Sequence, residues 1–393
     1  MTTTPRRLVG LALATLPLAL GAPQDPETAD PVPAPAAWSV ADGPAGGGPE
    51  TVITPEHEAA VAKGLAWLAA NQNEDGSWSS KVGRKVNEGY DYTGEAPHVG
   101  VTALACVAFL AGGHQPGRGR YGDAIERGLD YVLGSATEDG YITRNGTRMY
   151  SHAFATLFLA EIYGMTHRED VRTKLQAAVD FIVGCQNEEG GWRYAPFESQ
   201  SDMSIVVCQV IALRAARNIG IRVPKETVDR ASEYVKDSAI GFDEAQRSMR
   251  RRFQVDLSGS FKYQREGATR SSFPLTAAGV TAMNGLGIYS DEAIAEGLDY
   301  LRRNLDMFNR RRGDSGDGHY FFWYGHYYGV QAMYLAGEPY WTPYFTATRD
   351  ELLEMQRADG SFPNRVGPGT PFGTAMGVLI LEIPYRYLPI FQR

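Results

Sequence analysis

The chain has little cysteine and no paired cysteine motif. Three cysteines occur in 393 residues, the count is odd, and no Cys-x-x-Cys is present. A disulfide scaffold and a thiolate zinc cluster are therefore excluded as organising features. Cys106, Cys185 and Cys208 each sit in an apolar helical stretch and are expected to be buried free thiols. An excess of positive charge is also missing. Lys and Arg number 38 against 46 Asp and Glu, for a formal net charge of -8 and a pI near 5.5. No nucleic-acid partner is expected from that balance. The histidines His98, His152 and His326 lie on different predicted helices without short ligand spacing, so no metal is expected, and no cofactor motif is present. The N-terminal apolar run Leu8–Leu20 falls short of the roughly 20 residues a membrane span needs and contains Pro17.

That run is expected to be the core of a secretory signal over residues 1–21. Arg6-Arg7 precede it, and the small residues Ala19-Leu20-Gly21 close it. Removing a segment with two Arg and no acid moves the charge from -8 to -10. An exported protein is expected, with a short membrane anchor as the alternative. Residues 22–51 are rich in Pro, Ala and Gly and cannot bury enough apolar surface to fold, so they read as a tether that places the protein near a membrane or wall. One domain is expected over residues 52–393. Composition, 43% hydrophobic and 21% charged, is ordinary for a globular chain.

A recurring phrase organises that domain. An amphipathic helix runs into Gln-x-x-x-Gly-x-aromatic, and an apolar helix follows. Copies are Gln72–Trp78, Gln186–Trp192 and Gln356–Phe362, with a degenerate one at Thr137–Tyr141. Outer helices are expected at Val61–Asn71, Ala124–Ser135, Leu175–Cys185, Val228–Lys236, Ala293–Asn304 and Phe345–Gln356. Four of them share a small residue followed by apolar and aromatic positions: Gly64-Leu65-Ala66-Trp67, Gly128-Leu129-Asp130-Tyr131, Ala178-Val179-Asp180-Phe181 and Gly297-Leu298-Asp299-Tyr300. Inner helices, apolar nearly all round, are expected at Val99–Ala111, His152–Tyr163, Ser204–Ala216, Leu275–Leu286, Tyr327–Leu335 and Thr374–Glu382. The result is an all-α fold, an (α/α)6 toroid of six outer-inner pairs, with an open superhelix of helical hairpins as the alternative. Long aromatic loops are expected at 79–98, 257–272 and 306–325.

These turns and the sixfold pairing resemble the squalene cyclase and protein prenyltransferase superfamily, over essentially the whole domain. The resemblance implies that the Gln, Gly and aromatic residues brace the repeats. Squalene cyclases protonate an alkene with an acid from an Asp-x-Asp-Asp-Thr motif opening an inner helix. The matching stretch here is Gln200-Ser201-Asp202-Met203-Ser204-Ile205, which keeps Asp202 and puts Ser204 in the place of Thr. Prenyltransferase β-subunits hold zinc through Asp-x-Cys and a distant His, and this chain has no Asp-x-Cys.

Polar residues at the starts of the inner helices are expected to meet at one mouth. Asp202 is the candidate acid, with a plain helix N-cap as the competing assignment. His152 and His326 are candidates to relay protons, or else hydrogen-bonded barrel residues. His98, Tyr150, Tyr263, Arg270 and Tyr324 are candidates to contact substrate, and Asn364 and Arg365 lie in the last loop. The runs Arg250–Arg252 and Arg310–Arg312 read as solvated loop with a diphosphate contact as the alternative. Three functions follow as expectations. The first is a terpene-cyclase-like protein that binds, and could transform, a polyprenyl or triterpenoid lipid in its axis. The second is a non-catalytic binding or scaffold module. The third is a glycan-active enzyme, pairing Asp202 with Asp91, Glu95 or Asp317.

Overall fold

The computed structural model describes residues 52–392 apart from 87–88, 167, 242, 246–255, 267–269 and 314–318. The expected signal and tether, Arg250–Arg252 and Asp317 lie outside the described residues. Among the described residues, twelve long α-helices alternate between an outer and an inner ring. The outer helices are α1 (Pro55–Ala70), α3 (Gly122–Gly134), α5 (Glu169–Gly184), α7 (Lys225–Asp237), α9 (Glu292–Gly313) and α11 (Trp341–Met355). The inner ones are α2 (Val99–Ala111), α4 (Met149–Tyr163), α6 (Met203–Asn218), α8 (Phe273–Gly285), α10 (Tyr320–Ala336) and α12 (Thr370–Glu382). Each inner helix packs on the next, and α12 packs on α2 while α1 packs on α12. The ring is closed, which removes the open superhelix.

Amphipathicity decides which ring a helix joins. In α7 the buried residues Thr227, Ala231, Tyr234 and Val235 fall four, three and one apart, a single stripe facing inward. Every residue of α2 is buried, because neighbours cover it on all sides. None of the described helices is long and apolar enough to cross a membrane.

The braces recur around the ring. Gln72 Nε2 donates to Gly76 O at 2.9 Å and to Ala124 O of α3 at 2.8 Å. Gln186 does the same with Gly190 O and Thr227 O of α7, both at 2.9 Å. Gln356 of the last turn donates to Ala60 O of the first helix at 2.8 Å, stitching the ring shut. Trp78 and Trp192 each donate an indole N–H to a carbonyl of the preceding helix, Leu68 and Ile182, at 2.8 Å. The turn glycines Gly76, Gly140, Gly190, Gly259 and Gly360 all have φ between 79° and 91°. A Cβ on any of them would lie 2.2–2.5 Å from a carbonyl oxygen of the next outer helix: Arg127, Ala177, Arg230, Glu296 and Lys63 in turn. Only glycine allows both the left-handed turn and that approach. The Gly259 turn is a further copy of the motif in which Val255 stands in the place of Gln and Phe261 takes the aromatic place.

Two expected loops are structured. Residues 79–98 hold an antiparallel hairpin, β1 (Ser79–Val86) with β2 (Gly89–Pro97), in register Ser79 to Pro97 and Val86 to Gly89. The hairpin is tied to the last loop of the ring, Lys81 N donating to Pro368 O at 2.7 Å. Residues 306–325 are mostly helical as well. Residues 306–312 carry no Gly or Pro, so α9 continues to Gly313, and Phe308 stacks on Phe273 of α8 at 4.2 Å. Tyr320 through Trp323 form the first turn of α10.

The inner-helix starts gather at one mouth. Tyr150 of α4 reaches Ser204 of α6, and Tyr324 of α10 reaches the same residue. The opposite end is covered by the C-terminal segment, whose short 3-10 turns Ile383–Tyr385 and Pro389–Phe391 pack on α10 and α6. Glu161 lies there, nearly buried, accepting from the Ile390 N–H; burial raises its carboxyl to about 8. Glu382 is buried too, with both carboxylate oxygens unpartnered among the described residues.

Candidate functional site

Asp202 is the N-cap of α6, in extended conformation, and its Oδ1 accepts from Ile205 N at 3.1 Å. The capping assignment is correct, and it covers one carboxylate oxygen. Asp202 is wholly buried, and its Oδ2 has no hydrogen-bond partner among the described residues. A capping carboxylate at a helix start is ordinarily acidified by the N–H groups it receives. Here burial wins: it raises the carboxyl to about 6, against the lowering bonds from Ser204 and Ile205 and the field of Arg193.

Hydroxyls surround that carboxyl. Tyr150 donates to Ser204 Oγ at 2.7 Å, and Ser204 Oγ donates to Asp202 Oδ1 at 2.5 Å. Tyr324 OH donates to Ser204 O at 3.0 Å. Tyr194 and Tyr263 share a hydroxyl contact of 2.7 Å. The Cys208 thiol lies 3.1 Å from Tyr328 OH, and burial pushes it up to about 12, so it is a neutral wall group. Burial lifts Tyr150, Tyr324 and Tyr328 well above the usual phenol range, and the Asp202 charge adds to that for Tyr150 and Tyr324. The site is thus an aromatic cage of neutral hydroxyls around one buried acid. Tyr320 OH and both amide atoms of Asn364 are also buried without partners among the described residues, on neighbouring segments.

The loops hold these groups rigidly. Met149 N donates to Tyr194 O at 3.1 Å and Met203 N to Tyr263 O at 2.9 Å, so two inner helices begin by anchoring the two loop tyrosines. Arg270 closes the second loop through Tyr263 N to Arg270 O at 2.8 Å, and its guanidinium lies 4.9 Å over the Tyr263 ring.

Of the residues singled out from the sequence, Asp202, Tyr150, Tyr263, Arg270 and Tyr324 come together here. The histidines do not. His152 Nδ1 accepts from Ile142 N at 3.0 Å and its Nε2 faces Ala178 O of α5 at 3.2 Å. Burial lowers it to about 4, which keeps it neutral. His326 sits between Asn309 Oδ1 at 3.0 Å and Tyr344 OH at 3.2 Å, toward outer helices α9 and α11. His98 caps α2 through Nδ1 and Val101 N at 3.3 Å, also lowered to about 4 by burial. The hydroxyls linked to the Asp202 carboxyl are those of Ser204 and Tyr150, not the rings of His152 and His326. Tyr194, Tyr328 and Cys208 were not singled out for the site. Tyr324 and Tyr328 stand four apart on α10, a spacing that puts both on one face. No cluster of His, Cys, Asp and Glu among the described residues is placed to hold a metal.

Comparison with known proteins places this architecture. Residues 46–161 match the squalene-hopene cyclase C-terminal domain. Drimenyl diphosphate synthase of Streptomyces showdoensis is 25% identical over 182 residues, 46% of this chain and 30% of that protein. The match thus spans less than a third of its relative's length. Among solved structures, a type II terpene cyclase of Scytonema in complex with geranylgeranyl dihydroxybenzoate superposes with a TM-score of 0.53 at 13% identity, over 85% of this chain and 98% of that one. A GH76 α-mannanase of Bacteroides thetaiotaomicron superposes at 0.55 with 11% identity, over 86% and 98%. The chain is a squalene cyclase-like α/α-toroid; structural likeness at these identities speaks for the fold alone.

Proposed function

We propose that this squalene cyclase-like toroid is an exported protein that binds an isoprenoid lipid in its axis and protonates it through Asp202. The observation that carries the reading is the buried, unpartnered Oδ2 of Asp202 inside a cage of tyrosines. A carboxyl held near pKa 6 by burial keeps its proton more readily than an exposed one, and neutral aromatic walls suit a developing cation. In the step envisaged, the carboxyl O–H bond breaks as a C–H bond forms at an alkene carbon. The resulting tertiary cation is attacked by a second double bond of the same chain, closing a ring. The ring cation then loses a proton to water from the carbon beside it, whose C–H electrons form the product's double bond, and the Asp202 carboxylate is reprotonated from solvent. Ser204 and Tyr150 form the hydroxyl chain that leads away from the carboxylate left behind. Export rests on the Arg6-Arg7 and Leu8–Leu20 pattern alone.

The mannanase-like neighbours keep a glycan-active reading in view, and that chemistry needs two facing carboxyls. Asp91 pairs instead with Arg84 on the exposed hairpin, and the largest influences on Asp202 are burial, Ser204, Ile205 and Arg193. The test is incubation with squalene and geranylgeraniol, followed by mass analysis of extracted products. A cyclised product that disappears in Asp202→Asn supports the proposal. No product and no retained lipid, in protein purified from its own host, sinks it in favour of a scaffold role.

A further inference from the structure

In the closed ring of six inner helices, α4 and α10 are three places apart either way, so they face each other across the axis. Each turns a stripe of aromatic residues inward. Tyr150 and Phe154 stand four apart on α4, and on α10 Tyr324 is followed three and four residues later by Tyr327 and Tyr328. Those spacings keep each set on one helix face. The upper members meet at the site, where Tyr150 and Tyr324 both reach Ser204. One turn below, about 5.4 Å along the axis, the lower members meet each other. The rings of Phe154 and Tyr327 lie 6.3 Å apart, edge to face at 72°, and so bridge the axis. Tyr327 packs on Tyr328 at 4.9 Å, and Tyr328 OH touches Cys208 of α6.

Exposure falls away over that one turn. Ser204 and Tyr324 keep 8% and 9% of their surface and Phe154 keeps 7%, whereas Cys208 keeps 3%, Tyr328 1% and Tyr327 none. The space beside Asp202 therefore ends at the Phe154–Tyr327 pair. Beneath it the inner helices are packed: Phe158, the next turn of α4, is wholly buried, and Glu161 accepts the Ile390 N–H of the C-terminal segment. The pair works through its shape. Tyr327 OH has no hydrogen-bond partner among the described residues, a cost that a Phe would not carry, so the contact uses the ring and not the hydroxyl. Rings interlocked at close-packed density yield little to a ligand pressing from above.

We propose that Phe154 and Tyr327 are the floor of a shallow axial cup and limit the ligand to a short linear isoprenoid, of farnesyl to geranylgeranyl length, excluding chains of triterpenoid length. The inference rests on the axial binding reading above and narrows its ligand. An isoprene unit is about as long as one helical turn, so the cup below Ser204 holds the end of a chain and no more. The units that follow lie between Tyr150, Tyr194, Tyr263 and Tyr324. A longer chain finds no further depth, and its remaining units stay in water, where apolar surface is costly.

Competition between chain lengths tests it. The full chain is equilibrated in detergent with an equimolar mixture of farnesol, geranylgeraniol and the six-unit alcohol hexaprenol, and the lipid retained is counted by native mass spectrometry. The three share a head and differ in length. Wild type is expected to keep the shorter alcohols about tenfold or more over hexaprenol, the factor that roughly two methylene groups left in water would give. Phe154→Ala/Tyr327→Ala is expected to erase that preference. Phe154→Leu, which disturbs the packing less, is expected to reduce it and decides the matter if the double variant does not fold. Tyr327→Phe keeps both rings and is expected to keep the wild-type ratio. The micelle's own preference for longer chains cancels between variants. Hexaprenol retained by wild type as well as the shorter alcohols, or a ratio that Phe154→Leu leaves unchanged, overturns the floor and leaves axial binding standing. Retention of none of the three by any variant overturns both.

Discussion

Asp202 carries two loads that pull its carboxyl in opposite directions. The cap bond to Ile205 N and the Ser204 hydroxyl favour the anion, while enclosure by aromatic side chains favours the acid. With the carboxyl at about 6, a reaction that needs its proton is expected to run at full rate below pH 6. Above that it should fall about tenfold per pH unit, since the protonated fraction does so. A rate profile that rises from pH 6 to 8 would remove Asp202 as the acid. Ser204→Ala deletes a bond that stabilises the anion, so the falling limb should move to higher pH. Stability follows a separate course. Asn caps a helix about as well as Asp, so Asp202→Asn should melt no lower than wild type, and Asp202→Ala should lose about 1 kcal/mol. Melting curves with turnover on the same samples separate the cap from the acid. Asp202 could be picked out from the sequence because it opens an apolar helix where the resembling family has its acid. The histidines could not be placed. In a helix that is apolar all round, nothing in the sequence gives the rotational phase, so His152 facing the axis and His152 facing α5 are written with the same letters.

At the scale of elements, the alternation of amphipathic and apolar helices was readable almost throughout, with α2 matching to the residue. Boundaries drifted where packing extends a helix beyond its periodic stretch, as Phe308 does for α9. The hairpin at 79–97 was missed because its strands hold a row of polar residues with no buried face to impose an alternation. The turns make a sharper prediction. Gly76→Ala has to bear a φ of 84° and a methyl 2.2 Å from Arg127 O, so a loss of roughly 2–4 kcal/mol is expected from chemical denaturation. Gly134→Ala, with open space around its Cβ inside the end of α3, should cost nothing or stabilise slightly. At the far end of α4, Glu161 keeps its proton up to about pH 8 when folded and loses it near 4.5 when unfolded. The folded state then holds the extra proton between those values, so stability falls as pH rises from about 4.5 to about 8. Glu161→Gln has no such charge to bury. It should match wild type at pH 4 and exceed it at pH 8 by roughly 2–4 kcal/mol, read from paired melts.

For the molecule as a whole, the last brace has a consequence beyond stability. Gln356 binds Ala60 as Gln72 binds Ala124, so the repeat following α11 is α1. His57 of the first helix also meets Leu381 O of the last at 2.7 Å, and Arg349 reaches Val52 O at 2.8 Å. In connectivity the domain is a necklace, and the point where the string is cut is arbitrary as far as its beads are concerned. A circularly permuted chain, opened in the loop between α2 and α3 and joined from its old C-terminus to Ile53 by a glycine-serine linker, keeps every Gln brace and every inner contact. It should show the same helical circular dichroism and a single cooperative melt. A permutant that collapses into a partly helical, non-cooperative state would mean that α1 has to form first and that the ring assembles in one direction only.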